Sequence, residues 1–390
     1  MRLDGVRVLD LTRLLPGPYA TQLLRDMGAE VIKVEDPEVG DYARFLEPLG
    51  PDGVGGIFSM VNRGKKSVTL NLKKKRGKEI FYDLVGDADV VIEQFRPGVA
   101  ERLGVDYDSL QNYNSEIVYC SLSGYGQTGP YRDRAGHDLN YIGFAGLLDL
   151  TRKNDDDPPV IPGYPIADMS GGMFAAFSVV SALLERELGN SEGRYIDVSM
   201  TDVILSLSQA VAPMAMAGDE PRPGETPLTG KYACYNVYET ADSRYVTLAA
   251  LEPKFWEEFC TAVNREDLID KHLSDDPETR QRVKEEVAGI FAEKTREEWE
   301  EILGDKDVCF GPVNTLNEAF ENPQIRSRNM IKEVEEALPK IGFPAQFPFD
   351  KAKDEYEDAI PDMGEHTREV LKDQGLTHRE IERLSDEGVI

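Results

Sequence analysis

Short apolar runs of strand length alternate with helix-like patterns through the first 126 residues. "VRVLDLT" (6–12), "AEVIKVE" (29–35), "KSVTLNL" (66–72), "DVVIEQF" (89–95) and "EIVYCSLSGYG" (116–126) read as strands. Between them, "GPYATQLLRDMG" (17–28) reads as a helix stopped by Gly28, and "KRGKEIFYDLVG" (75–86) as another. Strands separated by helices of this length pair in parallel through right-handed crossovers. The expected fold class is therefore α/β, with a doubly wound, mostly parallel, Rossmann-like sheet. Ligands of such sheets bind beyond the carboxyl ends of the strands.

The second half has a different texture. A long apolar helix is expected from Asp168 to Gly189, "DMSGGMFAAFSVVSALLERELG". "GDEPRPGETPLTG" (218–230) is rich in breakers and marks a linker, taken over 201–230. "YACYNVYETADSRYVTLAAL" (232–251) is two β-rich runs around a polar turn, a hairpin. Helices follow to about Leu303, and the chain ends in the amphipathic "THREIERLSDEGVI". The expected organisation is a large domain over 1–200 and a smaller α+β domain over 231–325. Residues 326–390 return to pack C-terminal helices on the large domain.

Composition narrows the class. The 390 residues carry 72 acidic and 44 basic side chains, a net charge of −28, which disfavours nucleic acid as a partner. Such a surface suits high salt, where counter-ions screen self-repulsion, so a halophilic source is expected. No apolar run is expected to span a membrane, and "MRLDGVRVLDLT" reads as a strand rather than a signal peptide. The expected location is cytoplasmic. Cys120, Cys234, Cys260 and Cys309 are far apart, without C-x-x-C spacing or a Cys/His cluster. They read as reduced core thiols, and no metal is expected.

Against this acidity, residues 63–78, "RGKKSVTLNLKKKRGK", hold eight Lys or Arg in sixteen. They bracket a strand and the following helix start, an address for a phosphate-bearing ligand; a solvated basic helix start is the simpler alternative. "FRPGVAERLG" (95–104) adds Arg96 and Arg102 after the next strand. No G-x-G-x-x-G follows the first strand, which disfavours a dinucleotide. Three acid/base candidates stand at element ends: His137 in a Gly-His-Asp loop, Asp168 at a helix start and Glu252 between a strand and a Pro-led helix. Each has a structural alternative. A loop histidine can pack in the core, and Asp168 and Glu252 can be helix caps.

These motifs together resemble the class III coenzyme A-transferase family, most closely its 2-methylacyl-CoA racemase branch. The resemblance runs over nearly the whole chain. It rests on "LLPGPYATQLLRDMGAEVIKVEDP", "NRGKKSVTLNLK", "QFRPGVAERLG", "RAGHDLNYIGFAGLL", "PIADMSGGMFAAFSVVSALLERE", "YACYNVYETADSRYVTLAALEPKFW" and "GEHTREVL". The Gly-His-Asp-x-Asn-Tyr stretch marks the racemase branch, since transferases generally place an aromatic residue where His137 stands.

The resemblance implies that coenzyme A binds as part of an acyl-CoA substrate, with no tightly bound cofactor. The contacts it implies are Leu70, Asn71, Leu72, Lys73, Gln94, Phe95, Arg96, Arg102, Gly136 and Tyr141. Relatives can carry an arginine where Asp36 stands, so Lys33 or another base is expected to compensate. His137, Asp168 and Glu252 fall on the catalytic positions. They imply 1,1-proton transfer at the carbon beside the thioester, through an enolate, with His137 oriented by Glu252. The start of the helix at Asp168 is the expected oxyanion hole. "AVAPMAMAG" (210–218) fits an apolar acyl group, because Met adapts to varied chains.

An interlocked homodimer is implied as well, its site built between the large domain of one chain and the small domain of the other. The competing activity is CoA transfer between dicarboxylic acids through an Asp168 aspartyl-CoA thioester. A third possibility is a CoA-ester binding protein without chemistry.

Overall fold

The computed structural model describes residues 3–189, 192–334, 337–346 and 359–390. It divides into two compact units. One comprises residues 1–147, 162–207 and 327–390, the other residues 148–161 and 208–326.

The first unit is built on a six-stranded sheet in the order β3-β2-β1-β4-β5-β6. The strands are β1 Arg7–Asp10, β2 Glu30–Glu35, β3 Lys66–Thr69, β4 Val90–Glu93, β5 Val118–Ser123 and β6 Arg194–Ser199. Every pairing is parallel. The pattern-based expectation of a parallel sheet holds, with strands shorter than the apolar runs. β6 was not anticipated as a strand. As an edge strand it alternates part-buried Arg194 and Ile196 with exposed Tyr195 and Asp197, so no continuous apolar run announces it.

The strand order fixes where a ligand can enter. The chain steps from β1 outward to β2 and β3, then returns to the other side of β1 as β4. The loops after β1 and β4 therefore diverge, opening a crevice at their carboxyl ends.

One face of the sheet packs a core that includes Leu9, Ile32, Val91, Phe81 and Tyr119. Val370, Leu371, Ile381 and Leu384 of the two C-terminal helices belong to the same core. Ile166–Glu187, the long apolar helix, packs against the helix Pro16–Asp26. Gly172 permits the approach: a Cβ there would collide with the Pro16 carbonyl oxygen. By length and composition this 22-residue helix is apolar enough to cross a membrane, contrary to the expectation that no run qualifies. Half of its apolar window is buried inside the fold.

In the second unit the expected hairpin forms: β7 Tyr235–Glu239 pairs antiparallel with β8 Tyr245–Ala249, and β8 with β9 Phe310–Pro312. Helices Pro253–Ala262, Pro277–Phe291 and Arg296–Leu303 supply core residues to it. Phe291 is the hub of its core, with the rings of Tyr238, Phe259 and Trp299 centred 5.1, 5.7 and 5.2 Å away. The buried indoles are satisfied, Trp256 donating to the Leu268 carbonyl and Trp299 to that of Phe291. Three of the four cysteines are buried as expected, but Cys309 is exposed.

Candidate active site

The loop after β1 is held in an unusual shape. Leu14 has φ 67°, a left-handed conformation that a branched side chain adopts only under constraint. The constraint is a buried carboxylate: both oxygens of Asp41 accept from the Leu14 N–H, at 3.0 and 3.2 Å. Lys33 anchors Asp41 in turn, 2.9 Å away, and also donates to the Thr12 carbonyl at 2.8 Å. Both side chains are fully buried: the Lys33 ammonium keeps Asp41 below its ordinary range, and Asp10, then Asp41, keep Lys33 above its own. Lys33 thus shapes the loop from beneath. Buried and paired in this way, Lys33 is not the base that compensates for the arginine missing at Asp36, which leaves another base as the expected one.

The basic stretch 63–78 is largely consumed in the same way. Arg63 pairs with Asp26 at 2.9 Å, and Lys66 with Glu30 and Glu369. Lys65 is buried against Asp10, Thr21 and Asn62. Burial pushes its ammonium down to about 8. Lys74 donates to the Glu387 carbonyl. Lys73 remains at the surface, 3.3 Å from Asp36.

A cleft of about 390 Å³ opens where the switch point predicts, between the loops after β1, β4 and β5. His137, Asp168, Gly136, Tyr141, Gln94, Phe95 and Arg96 all line it. A neighbouring cleft of about 320 Å³ is lined by Leu70, Leu72, Lys73 and Asp36. Arg13, Phe95 and Val99 line both clefts, so the two adjoin. Asn71 and Arg102 line neither. Asn71 instead accepts the Lys73 N–H in a local turn, and Arg102 is exposed on the helix Val99–Leu103. The Gln94 side-chain oxygen accepts the Gly17 N–H at 2.9 Å, steadying the start of the helix Pro16–Asp26.

His137 immediately precedes the helix Asp138–Phe144 and is exposed, which removes the core-packing alternative. Its N–H donates to Asn140 Oδ1 at 3.0 Å, and the Asn140 N–H donates back to its carbonyl at 2.8 Å. Tyr141 backs the loop. Its hydroxyl donates to the Gly136 carbonyl at 2.6 Å, and its ring fills the space where Gly124 and Gly136 have no side chain. Burial, then the nearby Asp168, pushes the Tyr141 phenol up to about 12, so it stays a donor.

Asp168 is the third residue of its helix, not the cap. The capping role belongs to Asp138, which the sequence reading overlooked. Asp138 Oδ1 accepts from the N–H groups of Ala167 at 2.6 Å and Asp168 at 3.1 Å. Those two donors are therefore engaged, and the helix start does not offer them to an oxyanion. Burial, reinforced by the Asp138 charge, pushes the Asp168 carboxyl up to about 7. Ser123, also on the cleft wall, has a buried hydroxyl with no hydrogen-bond partner among the described residues.

The cleft's positive charge comes from arginines that were not singled out in the sequence: Arg13, Arg132 and Arg134 join Arg96. Arg134 lies 3.9 Å over the Tyr131 ring, and Arg13 donates to the Tyr42 hydroxyl. The available signal was three arginines in two glycine-bearing loops, "RLLPG" and "YRDRAG". Glu252 lies on the second unit at the start of the helix Pro253–Ala262. It is exposed, and its side chain makes no capping bond.

Comparison with known proteins decides the family, whose model for "CoA-transferase family III" matches residues 3–367. The chain belongs to CoA-transferase family III. Among family relatives, an acyl-CoA transferase of Fusarium pseudograminearum is 36% identical over all of this chain and 88% of its own length. The human alpha-methylacyl-CoA racemase is 31% identical over all of this chain and 98% of its own. A CAIB/BAIF family protein from Brucella suis has a solved structure that matches with a TM-score of 0.83 at 30% identity. That match covers 95% of this chain and 99% of the Brucella chain. Members of this family act on CoA thioesters, so coenzyme A enters as part of the substrate.

Proposed function

We propose that this family III enzyme interconverts the two configurations at the α-carbon of 2-methylacyl-CoA thioesters. The observation that carries this reading is that a histidine and a carboxyl held near neutrality line one cleft. One group removes the α-proton and the electron pair moves into the thioester carbonyl, giving an enolate. The other group delivers a proton to the opposite face. A group whose pKa lies near working pH serves best in both directions, which fits Asp168. Glu252 is assigned on the resemblance as the carboxylate that orients His137. With the Ala167 and Asp168 N–H groups engaged, the Ser123 hydroxyl is the donor we assign to the enolate oxygen. The arginines suit the phosphates of coenzyme A.

A second reading, CoA transfer with Asp168 as nucleophile, is favoured by the Fusarium relative, which is named a transferase. Two rates in each variant separate them: solvent deuterium wash-in at the α-carbon, and CoA exchange to an added dicarboxylate. Racemisation predicts that His137→Ala loses proton exchange on one face and Asp168→Ala on the other. Transfer predicts that Asp168→Ala abolishes CoA exchange while His137→Ala costs much less.

We further infer a homodimer. The helix Ile166–Glu187 and the residue that follows it expose Met173, Phe177, Leu184 and Leu188, an apolar stripe at helical spacing.

A further inference from the structure

A third cleft, of about 270 Å³, lies under the helices Val99–Leu103 and Tyr107–Leu110, beyond the substrate cleft. Nothing in the proposed reaction uses it. Its floor is formed by Glu93 at the end of β4, Ser121 and Tyr119 on β5, and Tyr195 on β6. Its charge is lopsided. Glu93, Glu101, Asp106 and Asp108 line it, against a single cation, Arg96.

Two features of the floor are incomplete. The Glu93 carboxylate is 2% exposed and accepts from the Ser121 hydroxyl and, at 2.7 Å, from the Phe95 N–H. Among the described residues no cation pairs with it, and burial pushes it up to about 7. The Tyr119 hydroxyl is buried, with the whole residue 1% exposed, and has no hydrogen-bond partner among the described residues. A buried polar atom without a partner is destabilising, so such atoms are uncommon unless something else satisfies them. The remaining wall is aromatic. The rings of Tyr107, Tyr119 and Tyr195 stand 5.7–6.2 Å apart, centre to centre.

Each of these features is improved by the same partner. A positive charge compensates Glu93 and the acidic rim. An N–H on that charge donates to the Tyr119 oxygen. The π-faces of tyrosines attract organic cations. The volume lies just below the usual range for drug-sized ligands, so the ligand is small. We infer that this cleft is a binding site for a small primary ammonium ion, held between Glu93, the Tyr119 hydroxyl and the tyrosine rings. Arg96 borders both this cleft and the substrate cleft, and Phe95 joins Glu93 to the substrate loop, so occupancy here adjoins the acyl-CoA site.

The test is calorimetric titration of the full chain with ethylammonium chloride at constant ionic strength. Potassium chloride and ethanol serve as the inorganic and uncharged controls. Saturable binding of ethylammonium is expected, with neither control competing. Tyr119→Phe, which removes only an unpartnered hydroxyl and keeps the ring, should leave the fold intact and weaken binding about tenfold. Glu93→Gln, which keeps the shape and the acceptor for Phe95, should abolish binding. The inference is overturned if ethylammonium does not saturate or if potassium or ethanol binds equally well. It is also overturned if Tyr119→Phe binds as tightly as wild type while remaining folded by circular dichroism.

Discussion

Asp138 Oδ1 stands 3.1 Å from the main-chain nitrogen of Asp168 and accepts its N–H. One carboxylate thus caps the helix that carries the other and, by its charge, helps keep that other protonated. The residue that follows His137 in sequence thereby positions its expected partner and adds to the effect of burial on that partner's acidity. Asp138→Asn should keep an acceptor but remove the charge. The kcat/KM limb near pH 7 should then move to lower pH, by roughly one unit or less. A limb that does not move, measured over pH 5–9, would break the link between Asp138 and Asp168.

The raised acidity of Asp168 has a stability consequence of definite sign. Its carboxyl titrates near 3.8 in the unfolded chain and about 7 in the fold. Between those values the folded state holds more protons, so this group's contribution to stability falls as pH rises from about 4 to 7. Asp168→Asn should therefore raise the thermal midpoint by a few degrees at pH 8. The gain should vanish below pH 4, where both states are protonated. Melting curves at the two pH values check this.

Gly124 has no room for a side chain: a Cβ there would enter the Tyr141 ring, which also carries the bond to Gly136. Gly124→Ala is expected to displace Tyr141 and with it the His137 loop. Activity should fall at least tenfold, with destabilisation of about 1–3 kcal/mol. Tyr141→Phe should be much milder, because the ring remains. Denaturant titration and turnover of the two variants test this ordering.

Lys33 and Lys73 should separate cleanly. Lys33→Ala leaves Asp41 buried without its cation and should cost about 3–5 kcal/mol of stability. Lys73→Ala, at the surface beside the second cleft, should leave stability within about 0.5 kcal/mol. It should weaken acyl-CoA binding only modestly. Strong loss of affinity in a fully stable Lys33 variant would contradict the structural role given to Lys33.

The net charge of −28 predicts that salt stabilises the protein, with the thermal midpoint rising between dilute buffer and molar KCl. A flat or falling midpoint would contradict a high-salt adaptation. Sedimentation at the same salt should show a dimer; an active monomer of 43.6 kDa would contradict the association inferred from Phe177 and Leu188.

Much of this was legible in the chain because parallel strands buried on both faces are rich in apolar residues, as Val90, Val91 and Ile92 are in β4 and Val118, Tyr119, Cys120 and Leu122 in β5. β6 was not, because an edge strand need not be apolar throughout. His137 and Asp168 were found from their place at element ends. Asp138 was missed because its role depends on a helix 29 residues further along the chain, a tertiary fact that no local pattern carries. The basic stretch misled for the opposite reason. Density of charge in sequence says nothing about pairing, and Asp26, Asp10 and Glu30 absorb Arg63, Lys65 and Lys66 in the fold.

The central claim is that proton exchange occurs at the acyl α-carbon, with His137 and Asp168 serving opposite faces. Its most direct test is incubation of wild-type enzyme with one enantiomer of a 2-methylacyl-CoA in deuterium oxide, with and without a free dicarboxylate. The account predicts one deuterium at the α-carbon and the appearance of the opposite configuration, independent of the dicarboxylate. Rapid transfer of CoA to the dicarboxylate, with configuration retained and no deuterium incorporated, would contradict it.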